Sequence, residues 1–208
     1  MKILAFTDPH GNIDHAKAIA KKVTDEHPDA IVCSGDFSLS GERYESFLDE
    51  IWRLGKPVYF VTGNHEGEDF RLPDRFSFMK DIGFQAVDLG EFVLAGIPGS
   101  LEFWPGERVD SDTVDLVLSL LSNADRTKPM VFLTHFPPMG CGVDGARGGA
   151  QDAGGSATVR KIVEKLRPET VITGHYHVDF GGRGKYKGST VINPGPEGEL
   201  LTVSRLSG

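Results

Sequence analysis

The sequence has no apolar run that approaches the ~20 residues of a membrane-spanning helix, and it has few cysteines. Cys33 and Cys141 are the only two, too few for a disulfide framework, so we expect reduced thiols. The apolar stretch at the amino terminus is interrupted early by Asp8, which makes it too short for a signal peptide. These absences favour a cytoplasmic protein with no membrane partner.

The chain also lacks an excess of positive charge. Its 22 lysines and arginines are outnumbered by 30 aspartates and glutamates, and the net charge is −8. That balance argues against broad binding to nucleic acid or to an anionic membrane. It leaves room for a small substrate that carries phosphate, because a local site can be positive in an acidic protein. A small basic cluster, Arg183, Lys185 and Lys187, is interpreted as a solvated turn rather than a phosphate site.

What the sequence does contain is a regular alternation of apolar runs, polar turns and amphipathic stretches, which is typical of an α/β fold. The length favours one domain over residues 1–208. The loops at 98–110 and 140–155, which carry Trp104 and Arg147, are expected to select the substrate. Strands are predicted at 2–7, 30–34, 58–62, 84–89, 91–97, 130–134, 170–173, 178–180, 190–192 and 200–206, and helices after Asn12, at 42–54, near 76–82, at 114–121 and after Ser156.

Polar side chains of the metal-binding types follow five of the predicted strands. In an α/β fold, ligands gather beyond the carboxyl ends of the strands. Five of the seven histidines belong to this set, a concentration that scattered surface histidines would not show. The members are Asp8, His10, Asp36, Asn64, His65, His135, His175 and His177.

The spacing and chemistry of this set predict a metal site. Alternate side chains of an extended segment face the same way, so Asp8 with His10, and His175 with His177, are each expected to hold one centre. Carboxylate, imidazole and amide oxygen suit Mn, Fe, Zn or Ni, with manganese the first candidate. Without His65 the set holds seven ligand-type residues, whereas one open catalytic site uses about three. Two divalent ions sharing a carboxylate are therefore expected.

Each residue alone has an ordinary structural explanation. Asp8 or Asp36 could cap a helix, Asn64 could serve a turn, and a single histidine is more often a hydrogen-bonded core residue than a ligand. Five strand ends that carry such residues together are not explained in that way.

In this arrangement the sequence resembles the calcineurin-like metallophosphoesterase superfamily, and its short length is similar to that of the compact prokaryotic phosphodiesterases. The resemblance implies a four-layer α/β/β/α sandwich of two mixed sheets flanked by helices. The motifs that carry it are Asp8-Pro9-His10, Gly35-Asp36, Gly63-Asn64-His65-Glu66, Thr134-His135 and Gly174-His175-Tyr176-His177, followed by Ile192-Asn193-Pro194-Gly195.

The resemblance also implies a role for each residue. His65 is then the catalytic residue that contacts substrate and not a ligand, Glu66 is a candidate to orient it, and Asn12 is a candidate to bind the phosphate. Asp36 is expected to bridge the two ions. One ion would be held by Asp8, His10, Asp36 and His177, and the other by Asp36, Asn64, His135 and His175.

The expected reaction is hydrolysis of a small phosphate ester, a diester in preference to a monoester. A hydroxide held between the metals would attack phosphorus while His65 protonates the leaving oxygen. The alternatives are an inactive scaffold for protein interaction, which should lose some of these residues, and a nuclease, which should carry basic surfaces or extra domains. The sequence leaves the oligomeric state open, a homo-oligomer included.

Overall fold

The computed structural model describes residues 1–39, 42–67, 70–99, 103, 106, 108–146 and 154–203. Trp104 and Arg147 lie outside this part of the chain. Eleven strands and four α-helices are found within it. The strands are β1 (Lys2–Phe6), β2 (Ala30–Cys33), β3 (Val58–Phe60), β4 (Met79–Asp81), β5 (Gln85–Asp88), β6 (Val93–Ile97), β7 (Met130–Thr134), β8 (Thr170–Ile172), β9 (Gly182–Tyr186), β10 (Ser189–Asn193) and β11 (Glu199–Thr202); the helices are α1 (Ile13–Glu26), α2 (Glu45–Trp52), α3 (Ser111–Leu120) and α4 (Ala157–Leu166).

The strands form two mixed sheets. The first has the order β11-β1-β2-β3-β4, with β1 to β4 parallel and β11 antiparallel to β1. The second has the order β5-β6-β7-β8-β10-β9, with antiparallel pairs at both edges and parallel pairs between them. Parallel neighbours in both sheets deliver several strand ends to one edge, as an α/β site requires.

Three apolar clusters separate four layers. Side chains of α1 and α2 pack with one face of the first sheet, for example Phe47 against Phe6. Side chains of α3 and α4 pack on the outer face of the second sheet. The inner faces meet in a third cluster that includes Val32 and Leu133. The predicted α/β/β/α sandwich is therefore confirmed.

The helix caps follow the sequence pattern. Oδ1 of Asn12 accepts a hydrogen bond from the backbone N–H of Asp14, and Oγ of Ser156 accepts one from that of Val159. Each satisfies an N–H that the first turn of a helix leaves without a partner. Both caps were expected from the sequence and both are confirmed.

Three short elements differ from the prediction. The helix expected near 76–82 is a 3-10 turn, Asp74–Phe76, followed by β4, whose backbone pairs with β3. The strand expected at 178–180 is a 3-10 turn, His177–Asp179. The basic segment interpreted as a turn forms β9, because its backbone pairs with β10 while its alternate side chains stay in solvent. For β4 and β9, tertiary pairing overrides a weak local pattern.

None of the helices in the described ranges combines the length and the apolar character that crossing a membrane requires. Phe103, in the loop at 98–110, is fully buried in the cluster beneath α3 and α4. That residue therefore packs in the core.

Candidate metal centre

The predicted site residues come together where the two sheets meet. Asp8 and His10 follow β1, Asp36 follows β2, and Asn64 and His65 follow β3. From the second sheet, His135 follows β7, while His175 and His177 follow β8. Backbone hydrogen bonds join the strand exits, from the N–H of Asp8 to Gly35 O (3.0 Å) and from that of Gly174 to His135 O (3.0 Å). All eight predicted residues lie in one cluster.

One half of the cluster is built by Asp8, His10 and His177. One ligand-type atom from each lies within 4.8 Å of the others. Nε2 of His10 is 3.2 Å from Nε2 of His177, which is 3.6 Å from Oδ1 of Asp8. Asp8 is held in turn by the hydroxyl of Thr7 (2.5 Å) and by the backbone N–H of His175. A carboxylate and two imidazoles thus converge on one point.

The other half is built around Asn64. Its Oδ1 lies 2.9 Å from Nε2 of His135 and 3.1 Å from Nδ1 of His175. The same His135 nitrogen is 3.3 Å from Oδ2 of Asp36. This half therefore gathers an amide oxygen, two imidazoles and a carboxylate.

Asp36 lies where the two halves adjoin. It groups with His10 and His65, and separately with Asp8 and His135, each time with ligand-type atoms within 4.8 Å. It is 2 % exposed, and its other oxygen accepts from the backbone N–H of His65 at 2.9 Å. A single buried carboxylate is thus in reach of both halves.

Two of the histidine rings are oriented by backbone carbonyls so that Nε2 faces the centre of the cluster. Nδ1 of His10 lies 3.1 Å from Ser38 O, and Nδ1 of His135 lies 3.0 Å from Ser34 O. A carbonyl only accepts, so Nδ1 carries a proton and Nε2 faces the cluster, where it offers a lone pair to a metal once it has no proton of its own. Such backbone partners are what orients metal-binding histidines. The donor set therefore fits divalent ions.

The charges of the site are set before any cation enters. Burial raises the pKa of Asp36, but the charge and hydrogen bond of His135 outweigh it and hold that pKa well below its usual range. Burial lowers the pKa of His135, but the negative charge and hydrogen bond of Asp36 outweigh burial and raise this pKa to about 9. Burial lowers the pKa of His175 to about 4. Asp36 therefore remains a buried anion at neutral pH, which attracts cations.

The backbone at these residues is not the extended strand from which the pairing of alternate side chains was predicted. Asp8, His10, Asp36 and His175 have φ of 52°, 46°, 53° and 68°, which is left-handed backbone and not extended strand. Asp8 and His10 do serve the same half, but through a tight turn. His175 faces Asn64 while His177 faces Asp8, so the expectation that this pair holds one centre is wrong.

Two glycines leave room for the carboxylates. A Cβ on Gly63 would collide with Oδ1 of Asp36 and lie 2.6 Å from its backbone nitrogen. A Cβ on Gly174 would collide with Oδ2 of Asp8 and with the hydroxyl of Thr7. Both glycines directly precede a site residue in the sequence, a signal that could have revealed this role.

Gly63→Ala is expected to weaken metal binding by about tenfold or more, in the range by which loss of a ligand's support lowers affinity. The added methyl group must displace Asp36 or the β3 turn. Gly106→Ala is the matched control, since within the described residues, chain neighbours aside, no atom lies within 4 Å of a Cβ there. Titration of the metal-free proteins with Mn²⁺ checks this; equal affinity in both variants would contradict it.

Glu66, expected as a candidate to orient His65, also joins two turns of the site, which sequence reasoning missed. It is 4 % exposed, and its carboxylate accepts four hydrogen bonds. They come from the N–H groups of Asp36 (2.8 Å), Gly63 (2.7 Å) and Ser38 (2.9 Å) and from the hydroxyl of Ser38 (2.7 Å). Glu66 thereby ties the turn after β3 to the turn after β2, and supports the segment that carries His65.

Glu66→Gln is expected to lower the free energy of unfolding by about 3 kcal/mol, because an amide NH₂ would face backbone donors that then lack an acceptor. Urea denaturation of the metal-free protein measures this. Glu197→Gln, on an exposed turn, is the matched control and should change stability by less than about 0.5 kcal/mol. A loss below about 1 kcal/mol in Glu66→Gln would show that the carboxylate is not needed.

With this geometry established, the chain can be compared with known proteins. The family model of calcineurin-like phosphoesterases matches residues 1–179. The chain belongs to this family. The match contains all five motifs, from Asp8 to His177. The phosphoesterase family binds a dinuclear divalent metal centre, in agreement with the adjoining halves described above. A search of curated proteins found no match to the sequence.

Solved structures share the fold of this phosphoesterase. The protein TT1561 of Thermus thermophilus superposes with a TM-score of 0.69 at 18% identity, covering 97% of this chain and 94% of its own. A dimetal phosphatase from Danio rerio superposes with a TM-score of 0.71 at 14% identity, covering 99% of both chains. Phosphopantetheinyl hydrolase from Mycobacterium tuberculosis superposes with a TM-score of 0.57 at 13% identity, covering 93% of this chain and 88% of its own. At these identities the likeness establishes the fold alone.

Proposed function

We propose that the protein is a dinuclear metal-dependent hydrolase of small phosphate esters that prefers diesters to monoesters. The observation that carries the proposal is the position of Asp36, one buried carboxylate in reach of two adjoining groups of metal-ligand side chains. The chain's membership of the phosphoesterase family supports the same conclusion.

The seven ligand-type residues divide between two divalent ions. Asp8, His10 and His177 would hold one and Asn64, His135 and His175 the other, with Asp36 shared. Bound there, the ions would supply activation of water and neutralisation of charge on the phosphate oxygens. Asn64 contributes a neutral oxygen, so Asp8 and Asp36 bring the only two full negative charges of the ligand set. They offset about two of the four charges of the ions, which leaves the site attractive to phosphate in an acidic protein.

His65 is the residue proposed to act on the substrate. Its side chain is 32% exposed, whereas that of Asp36 is 3% exposed, so its ring borders the solvent side of the cluster. Its Nε2 lies 3.8 Å from Oδ2 of Asp36, and its ring centre lies 4.8 Å from that of His10. Protonated His65 would donate its proton to the leaving alkoxide oxygen.

Asn12 remains a proposed phosphate contact. It is exposed and follows His10 and Gly11 on the turn after β1. Its Oδ1 is engaged in capping α1, so a contact with phosphate would use the side-chain amide nitrogen.

A substrate panel tests the proposed function. Protein loaded with Mn²⁺, and separately with Fe²⁺, Zn²⁺ and Ni²⁺, would be assayed with bis-p-nitrophenyl phosphate, p-nitrophenyl phosphate and single-stranded DNA. We expect the highest kcat/KM for the diester, with Mn²⁺. A preference for the monoester would overturn the diesterase assignment, cleavage of DNA alone would favour a nuclease, and inactivity with every metal would favour a scaffold.

A further inference from the structure

A second cavity lies at the opposite edge of the second sheet from the metal centre. The carboxyl end of β8 leads to His175, whereas its amino end follows the loop after α4. The cavity is bounded by α4, by this loop and by the turn between β9 and β10, so β8 separates it from the metal centre. It has a volume of about 570 Å³ and is lined by Lys161, Glu164, Lys165, Arg167 and Lys187.

The charge of this cavity is opposite to that of the whole protein. Four cations and one anion line it, in a chain of net charge −8. Glu164 is already engaged, because Oε1 accepts a hydrogen bond from the Tyr186 hydroxyl (2.5 Å) and Oε2 pairs with Lys161 (3.3 Å). Within the described ranges no carboxylate lies within 4.0 Å of the charged groups of Lys165, Arg167 or Lys187. Three positive charges therefore share one concave surface.

The backbone holds two of these cations in unusual positions. Arg167 ends α4 with φ 52°, and Lys187 opens the two-residue turn between β9 and β10 with φ 50°. Both are left-handed positions at which glycine or asparagine is usual. Four of the other non-glycine residues with positive φ are in the metal centre. Since α1 also ends in this conformation, at His27 with φ 50°, the left-handed backbone fixes where the two cations lie and is not itself a sign of a site.

The walls of the cavity are fastened to each other. The hydroxyl of Ser189 donates to Pro168 O (2.5 Å), and the N–H of Thr190 donates to Glu169 O (3.0 Å). Nε of Arg160 donates to the Tyr186 hydroxyl (2.7 Å), which joins α4 to β9. The backbone segments that carry the cations are thus fixed relative to one another, while the side chains of Lys165, Arg167 and Lys187 are exposed.

We propose that this cavity binds a small anion that carries two or more phosphate groups. The volume lies within the range of small-ligand sites and exceeds what one phosphate needs. Among the described residues, the lining has three cations without a carboxylate partner, which suit the phosphate groups of a ligand. The same lining has no aromatic side chain on which a nucleobase would stack. The site is separate from the metal centre, so the proposal stands independently of the proposed function.

The proposal is tested by measuring the binding of inorganic pyrophosphate to the metal-loaded protein by isothermal titration calorimetry. The double variant Arg167→Asn/Lys187→Asn removes two charges, while asparagine suits both left-handed positions, so thermal stability should be kept or raised. Pyrophosphate binding at the metal centre is common to all variants, and the difference therefore reports the cavity. We expect the double variant to lose a binding event or to bind at least tenfold more weakly, with unchanged turnover of bis-p-nitrophenyl phosphate.

The matched control is Lys17→Gln/Lys21→Gln, which removes the same charge from the exposed face of α1. It should bind pyrophosphate within about twofold of the wild-type protein. Equal binding by the wild-type protein and the cavity variant would overturn the proposal. Cavity-dependent binding of a short single-stranded RNA without such binding of pyrophosphate would overturn the small-anion assignment in favour of a nucleic-acid contact.

Discussion

Asp36→Ala is expected to lose both metal ions and to lower turnover by more than about 100-fold, because even loss of a ligand's supporting partner costs ~10–100-fold. The carboxylate is in reach of both halves of the cluster, since it groups with His10 and also with Asp8 and His135, with ligand-type atoms within 4.8 Å of one another each time. Its removal also takes away the acceptor of the His65 N–H. Because Asp36 is shared, this one substitution removes a ligand from each of the two ions.

Elemental analysis of the purified protein, together with turnover of bis-p-nitrophenyl phosphate, measures this. Asp115→Ala is the matched control, since Asp115 is an exposed residue of α3 outside the site. It should keep two ions and wild-type turnover. Two tightly bound ions in Asp36→Ala would show that Asp36 does not bridge.

The second large effect is expected from His65→Ala, which should lower kcat by about 10²–10⁴-fold, the contribution typical of a positioned proton donor. Metal content should be unchanged, because the other seven residues supply the ligands. The loss should be greater for an alkyl ester than for a p-nitrophenyl ester, since p-nitrophenolate departs without a proton. This dependence on the leaving group separates proton donation from a merely structural role.

His15→Ala, on α1, provides the control for histidine loss away from the centre. His65→Asn adds a second variant, since it keeps a hydrogen-bonding side chain but cannot donate a proton of suitable acidity. Near wild-type rates in either His65 variant would show that His65 is not the proton donor. Loss of metal together with activity in His65→Ala would instead make it a ligand, a possibility open to it by its nearness to His10 and Asp36.

The sequence was informative about the site because the site is built from strand ends. The runs before Asp8, Asp36 and His135 are apolar on both faces, as buried parallel strands must be, so the polar residue after each marks a position beyond the sheet edge. The membership of the cluster could therefore be predicted without any knowledge of distances.

Spacing could not reveal how each residue is aimed. His175 and His177 are two positions apart, yet a left-handed residue and a 3-10 turn direct them to different halves. The role of Glu66 depends on N–H groups about 30 residues away, on the turn after β2, which no local pattern indicates. β9 was missed for a similar reason, because its strand character comes from pairing with β10 rather than from its own composition.

The proposed centre requires two metal ions that share Asp36, and anomalous X-ray diffraction from crystals of manganese-loaded protein tests this most directly. Two anomalous peaks are expected, ~3.5–4 Å apart as in other two-metal sites, on either side of the Asp36 carboxylate. Asp8, His10 and His177 should surround one peak, and Asn64, His135 and His175 the other. A single peak, or two peaks without Asp36 between them, would contradict the account.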